Sequence, residues 1–194
     1  MAETLSSAVM AAGLSWASGV RLYMALFAAG LFGRVGWLTL PQPLRVLESP
    51  WVLGITGLLF VAEFLADKVP GFDSIWDAVH TFIRIPAGAI LAAAAMGQMD
   101  PAWVAAAGIL GGAIATGAHL TKAGSRALIN TSPEPFSNWT ASFSEDAIAA
   151  VVLWSAFFHP WLLLGFLAVF FLFAAWLLPR LWRGLRLLFF KFAS

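Results

Sequence analysis

Six apolar runs, divided by prolines and glycines, constrain this chain more than anything else in it. They cover about Leu5 to Gly36, Trp51 to Val69, Ile75 to Gly97, Ala102 to Ile129, Glu145 to His159 and Trp161 to Leu178. The breaks fall at Pro41, Pro43 and Pro50, Pro70-Gly71, Asp100-Pro101, Pro133 and Pro135, Pro160 and Pro179. A helix crosses the hydrocarbon core with about 20 apolar residues, so the runs predict an all-α, polytopic membrane helix bundle of about six spans. The first and fourth are too long for one simple crossing and carry internal glycines, which predicts long tilted helices or half-helices meeting inside the membrane. The fifth is short and is expected to begin at Glu145-Asp146, with Ser144 before it and acids at the positive end of the helix dipole.

Composition agrees. The chain is 61% hydrophobic and 11% charged, whereas soluble domains are about 45–50% apolar and 25% charged. A soluble chain of 194 residues could not cover so much apolar surface, so its partner is the lipid bilayer. No basic block is present, which argues against nucleic acid. Cysteine is absent, which excludes thiolate chemistry and disulfides. Met1 to Ser7 holds no Lys or Arg, which argues against a cleaved leader.

Orientation follows Lys and Arg near the span ends. Arg180, Arg183, Arg186 and Lys191, interleaved with Leu, Trp and Phe, predict a basic amphipathic tail over 180–194 on the cytoplasmic headgroups. Six spans then place both termini in the cytoplasm of a bacterial inner membrane. Trp37, Trp51, Trp76, Trp103, Trp139, Trp161 and Trp182 fall near the expected span ends, where indole favours the interface.

One internal echo suggests duplication. Residues 17–25 read Ala-Ser-Gly-Val-Arg-Leu-Tyr-Met-Ala, and 115–123 read Ala-Thr-Gly-Ala-His-Leu-Thr-Lys-Ala. Each puts a basic group, Arg21 or His119, two residues after a glycine. Three spans in each half, 1–97 and 98–179, would turn the second copy over. That is a 3+3 inverted repeat, with a broken or re-entrant first helix in each half.

Ionisable side chains at mid-bilayer cost about 2.5–3.5 kcal/mol on insertion scales, so they mark the candidate site. Glu63 and Asp67 share one helix face at i, i+4; Asp73, Asp77, His80 and Arg84 share another. A Pro-Gly turn would bring the two stripes together beside Lys68. Arg21, His119 and Lys122 form a basic set suited to an anion or to a carboxylate such as Glu63. Asp67, Asp73 and Asp77 could hold Mg²⁺ or another cation; no other cofactor is implied. The bland alternative is a salt-bridged hairpin, with Asp73 capping the third helix and Asp67 to Asp77 solvated at the interface. Glu134, Asn138, Glu145 and Asp146, in the polar stretch 130–146, are secondary candidates with His80. Gly108-Ile-Leu-Gly-Gly112 reads as a close-packing face, and small-residue faces permit a homo-oligomer.

These same residues carry a family resemblance. The strings are Glu63-Phe-Leu-Ala-Asp-Lys-Val-Pro-Gly71 through Asp73, Trp76-Asp77, His80, Arg84 and Pro86-Ala-Gly88, then His119, Lys122, Asn130-Thr-Ser-Pro-Glu-Pro-Phe-Ser-Asn138, Glu145-Asp146 and Leu177-Leu-Pro-Arg-Leu-Trp182. They resemble a mostly bacterial membrane family, also found in plastids, known as domain of unknown function four-one-two-six. The resemblance implies a compact integral membrane protein and brings no chemistry with it.

Three functions fit these readings. The leading one is a transporter or channel-like protein for a small ion, an anionic solute or a lipid headgroup, with its site between the inverted repeats. The alternatives are a non-catalytic membrane scaffold and a Mg²⁺-dependent intramembrane enzyme acting on a lipid phosphate.

Overall fold

A computed structural model describes residues 2–131 and 135–192. Six helices run α1 Ala2–Arg34, α2 Pro50–Ala66, α3 Phe72–Ala95, α4 Pro101–Ile129, α5 Pro135–Phe158 and α6 Pro160–Phe192. A 3-10 segment, Gln42–Glu48, precedes α2 and buries Leu44 and Leu47. Five helices are long and apolar enough to cross a membrane, or six if Gln42–Glu48 and α2, bent by 71°, form one span. Large apolar side chains such as Leu58, Phe82, Ile109 and Leu172 point outward, which water would not tolerate and lipid does. Trp37, Trp51, Trp103, Trp139 and Trp161 are exposed near helix ends and Trp182 is exposed within α6, while Trp76 is half-buried and stacks on His80.

The centre of the bundle is α1, and it is not straight. Arg21 leaves helical geometry, with φ −143° and ψ 73°. A Cβ on Gly13 would strike Ala156, and the Phe32 ring lies 6.0 Å from that of Phe157. In a straight helix residues 13 and 32 would stand about 28 Å apart; here both lie beside one end of α5. Both arms of α1 therefore reach the same end of the bundle, and Arg21 is the apex between them, beside Ser142 further along α5. The reversal leaves carbonyls of the first arm without helical partners. Lys122 Nζ donates to one of them, Val20 O, at 3.3 Å.

Thr4, Ser6 and Ser7 share a polar cavity with Met96 to Met99, next to the start of α4. Gly184 lies against Leu128, at the far end of α4. Thr4 and Gly184 therefore lie beside opposite ends of α4. The second copy of the echo lies on α4, which is helical from Pro101 to Ile129.

Small residues set the spacing. A Cβ on Gly111 would run into Ala92 and stand 2.9 Å from Gly88 O, and one on Gly19 would meet the Ala115 carbonyl. The Gly108–Gly112 face is used inside the chain, against α3. The two echo segments also touch, with Gly19 on residues 115–119, so the glycine of the first motif is where α1 and α4 approach, whereas Gly117 faces Phe171 on α6.

α5 begins earlier than expected. It covers Pro135–Phe158, so Glu145 and Asp146 lie well inside it and not at its start. Asn138, Ser142 and Glu145, at helical spacing, turn toward buried cations, which makes a polar stretch helical. α6 continues through Pro179. Arg180 packs 4.0 Å over Trp176 and donates to its carbonyl. The side chain of Lys191 lies outside the described residues.

Candidate functional site

The apex of α1 is surrounded by charge. Arg21, Arg84, Lys122 and Arg126 are buried, as are Glu63, Asp67, Asp73 and Asp77; Lys68, Glu145 and Asp146 complete the group, each 15–17% exposed at the side chain. Five cations face six carboxylates.

Arg21 binds Asp67, reaches Asp146 Oδ1 at 2.7 Å and Glu145 Oε2 at 3.5 Å, and donates to Ser142 O at 3.2 Å. Lys122 Nζ bridges Asp67 Oδ2 at 2.7 Å and Asp77 Oδ1 at 3.1 Å. Arg84 spans two acids, Glu63 Oε1 at 2.6 Å and Asp77 Oδ1 at 2.5 Å, while its carbonyl accepts from Ser18. Arg126 holds Glu145 with a two-pronged contact, Nε and Nη2 each at 2.9 Å, and lies 3.5 Å from Asp73. Asn130 donates to Asp73 Oδ1 at 2.7 Å and Asn138 to Asp73 Oδ2 at 3.3 Å.

The histidines flank this group. His80 Nδ1 faces the Trp76 carbonyl, an acceptor only, so it carries the proton and Nε2 accepts from the Tyr23 hydroxyl at 3.1 Å. His119 Nε2 meets Thr81 Oγ1 at 2.7 Å.

The expected residues therefore converge, with different pairings. Asp67 to Asp77 are not solvated. Arg21 pairs with Asp67, Asp146 and Glu145, not with Glu63, which belongs to Arg84. Asp73 does sit in the first turn of α3, its Oδ1 accepting from Ser74 N at 2.7 Å, and it also anchors α4 and α5. Asp67, Asp73 and Asp77 do not gather around a cation: among the described residues no three His, Cys, Asp or Glu side chains form a metal-binding group, and each aspartate faces basic side chains instead. Glu134 lies outside the described residues. Arg126 was not among the expected residues; its spacing from His119 and Lys122, i, i+3, i+7, places it on their face of α4.

Lys68, between α2 and α3, lies 3.6 Å from Asp146, donates to Ser142 Oγ at 3.2 Å and sits over the Phe64 ring at 3.0 Å. Burial holds its ammonium below the usual 10.5, and Asp146 only partly opposes this. The unfolded chain thus keeps this proton to higher pH than the folded one. Stability should rise with pH between the lowered value and 10.5. Thermal unfolding across that range should show the rise in the parent protein and a flatter profile in Lys68→Met; identical slopes would remove Lys68 as the cause.

With this geometry in place, comparison identifies the family. Residues 8–180 match the family model described as Domain of unknown function (DUF4126), and the chain belongs to that family. No curated protein and no solved structure matches it.

Proposed function

We propose that this membrane-spanning protein is a transporter or channel-like protein for a small ion, with its site where the apex of α1 meets α2 to α5. One observation carries the reading: a helix reverses inside the bundle at a buried arginine, and the backbone groups freed there lie among ionisable side chains. Broken helices are a recurrent way to build an ion site at membrane depth, because their ends present uncompensated dipoles. The extra carboxylate favours a cation over an anionic solute. A scaffold needs helix–helix contacts but gains nothing from concentrating this charge at a backbone break.

The lipid-headgroup reading retains one specific support. A cavity of about 320 Å³ is lined by Trp16, Phe166, Phe170 and Phe173, with Lys122 and Glu145 among its other walls. An acyl chain would suit its aromatic side.

The test is flux in vesicles containing the purified protein, with a panel of small cations and anions and a labelled-lipid scrambling assay. Arg21→Gln removes charge-assisted bonds of about 1.5–3 kcal/mol each and should slow the transported ion about tenfold or more. Lipid movement without ion flux would support the headgroup reading. No movement of any species would leave the network as a scaffold.

A further inference from the structure

We propose that Glu63 carries one exchangeable proton, and that this proton is the ion moved through the network. The inference rests on the transport reading above and names its substrate.

Charge balance is the first argument. With neutral imidazoles, five cations and six carboxylates leave one negative charge in a region enclosed by apolar helices. An uncompensated ion in low dielectric is neutralised more cheaply than it is kept. One bound proton makes the network neutral. Among the described residues no group of three His, Cys, Asp or Glu side chains is assembled there for a metal ion.

The oxygens locate the proton. Asp73 has acceptor contacts on both oxygens, and Glu145 is held on both by Arg126. Asp146 faces Arg21 with Oδ1 and Lys68 with Oδ2. Asp67 Oδ2 is shared by Arg21 and Lys122, and Asp77 Oδ1 by Arg84 and Lys122. Among the described residues Glu63 has a single cation, Arg84, which it divides with Asp77. Its Oε2 is buried without a hydrogen-bond partner, as are Asp67 Oδ1, Asp77 Oδ2 and both Asp146 oxygens, but those three acids each face two cations, and Glu63 is 0% exposed. It is therefore the least compensated carboxylate in the network. A proton on Oε2 leaves Oε1 free to keep the Arg84 contact.

The groups facing Glu63 come from α1 and α3. On α3 they are Arg84, which also holds Asp77, and His80; on α1 it is Tyr23; Lys122 on α4 and Arg21 on α1 belong to the same network through Asp77 and Asp67. Tyr23 and His80 both lie within electrostatic reach of Glu63, and the Tyr23 hydroxyl is bonded to His80 Nε2 at 3.1 Å. That pair supplies a hydroxyl and an imidazole through which a proton can pass. In each transfer an oxygen or nitrogen lone pair takes the proton as its previous bond breaks, and no redox partner is required.

The experiment combines infrared spectroscopy and flux on the full chain in lipid vesicles. Titration should reveal the carbonyl stretch of a protonated carboxylic acid, absent in Glu63→Gln and unchanged in Glu48→Gln. An imposed pH gradient should drive proton entry that falls about tenfold or more in Glu63→Gln and several-fold in Tyr23→Phe. If Glu63→Gln fails to fold, the parent protein still decides by the presence or absence of the acid band and by proton flux. No carboxylic acid band over the pH range where the protein stays folded overturns the assignment to Glu63. Transport of another ion with no proton flux overturns the proton as substrate and leaves the transport reading standing. A Glu63 acid band without flux of any ion overturns the transport reading and leaves only the protonation site.

Discussion

Arg84→Met is expected to destabilise the protein by about 3–5 kcal/mol, because removing one partner of a buried ion pair strands the other. Arg84 is fully buried and holds Glu63 and Asp77 at once. The two acids are not equally stranded by its loss. Asp77 retains Lys122 at 3.1 Å, whereas among the described residues Glu63 has no other cation within salt-bridge distance. With Glu63 ionised, most of the cost should therefore come from it, and the cost falls where that carboxylate holds its exchangeable proton. Adding Glu63→Gln to Arg84→Met should recover more stability than adding Asp77→Asn. The measurement is the thermal unfolding midpoint in detergent or lipid for the single variant and both doubles. Parent-like unfolding of Arg84→Met would mean the charges do not hold α2 to α3. Equal recovery by the two doubles would mean Lys122 does not hold Asp77 as drawn.

This asymmetry shows what local sequence can and cannot reveal. The spans were legible because apolar runs and their proline breaks act through nearest neighbours: the expected third run, Ile75 to Gly97, differs from α3 by a few residues at either end. The stripe Asp73, Asp77, His80, Arg84 was legible because helical spacing puts it on one face whatever packs against it. The partners of that face were not. Arg21 could have taken any nearby acid, and only the packing of the helices gives it Asp67 while Arg84 takes Glu63. The reversal at Arg21 was open for the same reason. No proline marks it, and the bend is supported from a distance by Lys122 on the Val20 carbonyl. Asn138 and Ser142 look like loop residues to any hydropathy scale, because nothing adjacent in the chain says that Arg126 and Arg21 will meet them. Arg126 was missed because proximity to a span end makes a basic residue resemble an interfacial anchor.

Gly19→Ala provides the second large effect, and it tests the contact that joins the two echo segments. A Cβ at this position would run into the Ala115 carbonyl oxygen, stand 2.8 Å from Ala118 Cβ and 3.0 Å from His119 N. Two of those atoms are backbone, so no rotamer change relieves the clash, and α1 must move away from α4. Overpacking of this kind costs about 1–3 kcal/mol. It should also harm the site beyond its effect on stability, since Arg21 and Lys122 hold the same Asp67 oxygen from these two helices. Gly54→Ala is the matched control. Nothing lies within 4 Å of a Cβ there, the position is inside α2, and replacing a helical glycine by alanine gains up to about 1 kcal/mol. The two substitutions should therefore shift the unfolding midpoint in opposite directions, and only Gly19→Ala should reduce flux in vesicles. If both stabilise, α1 and α4 are further apart at Gly19 than this packing requires. If Gly19→Ala destabilises while flux per folded molecule is unchanged, the α1–α4 contact holds the bundle together without setting the geometry of the charged network.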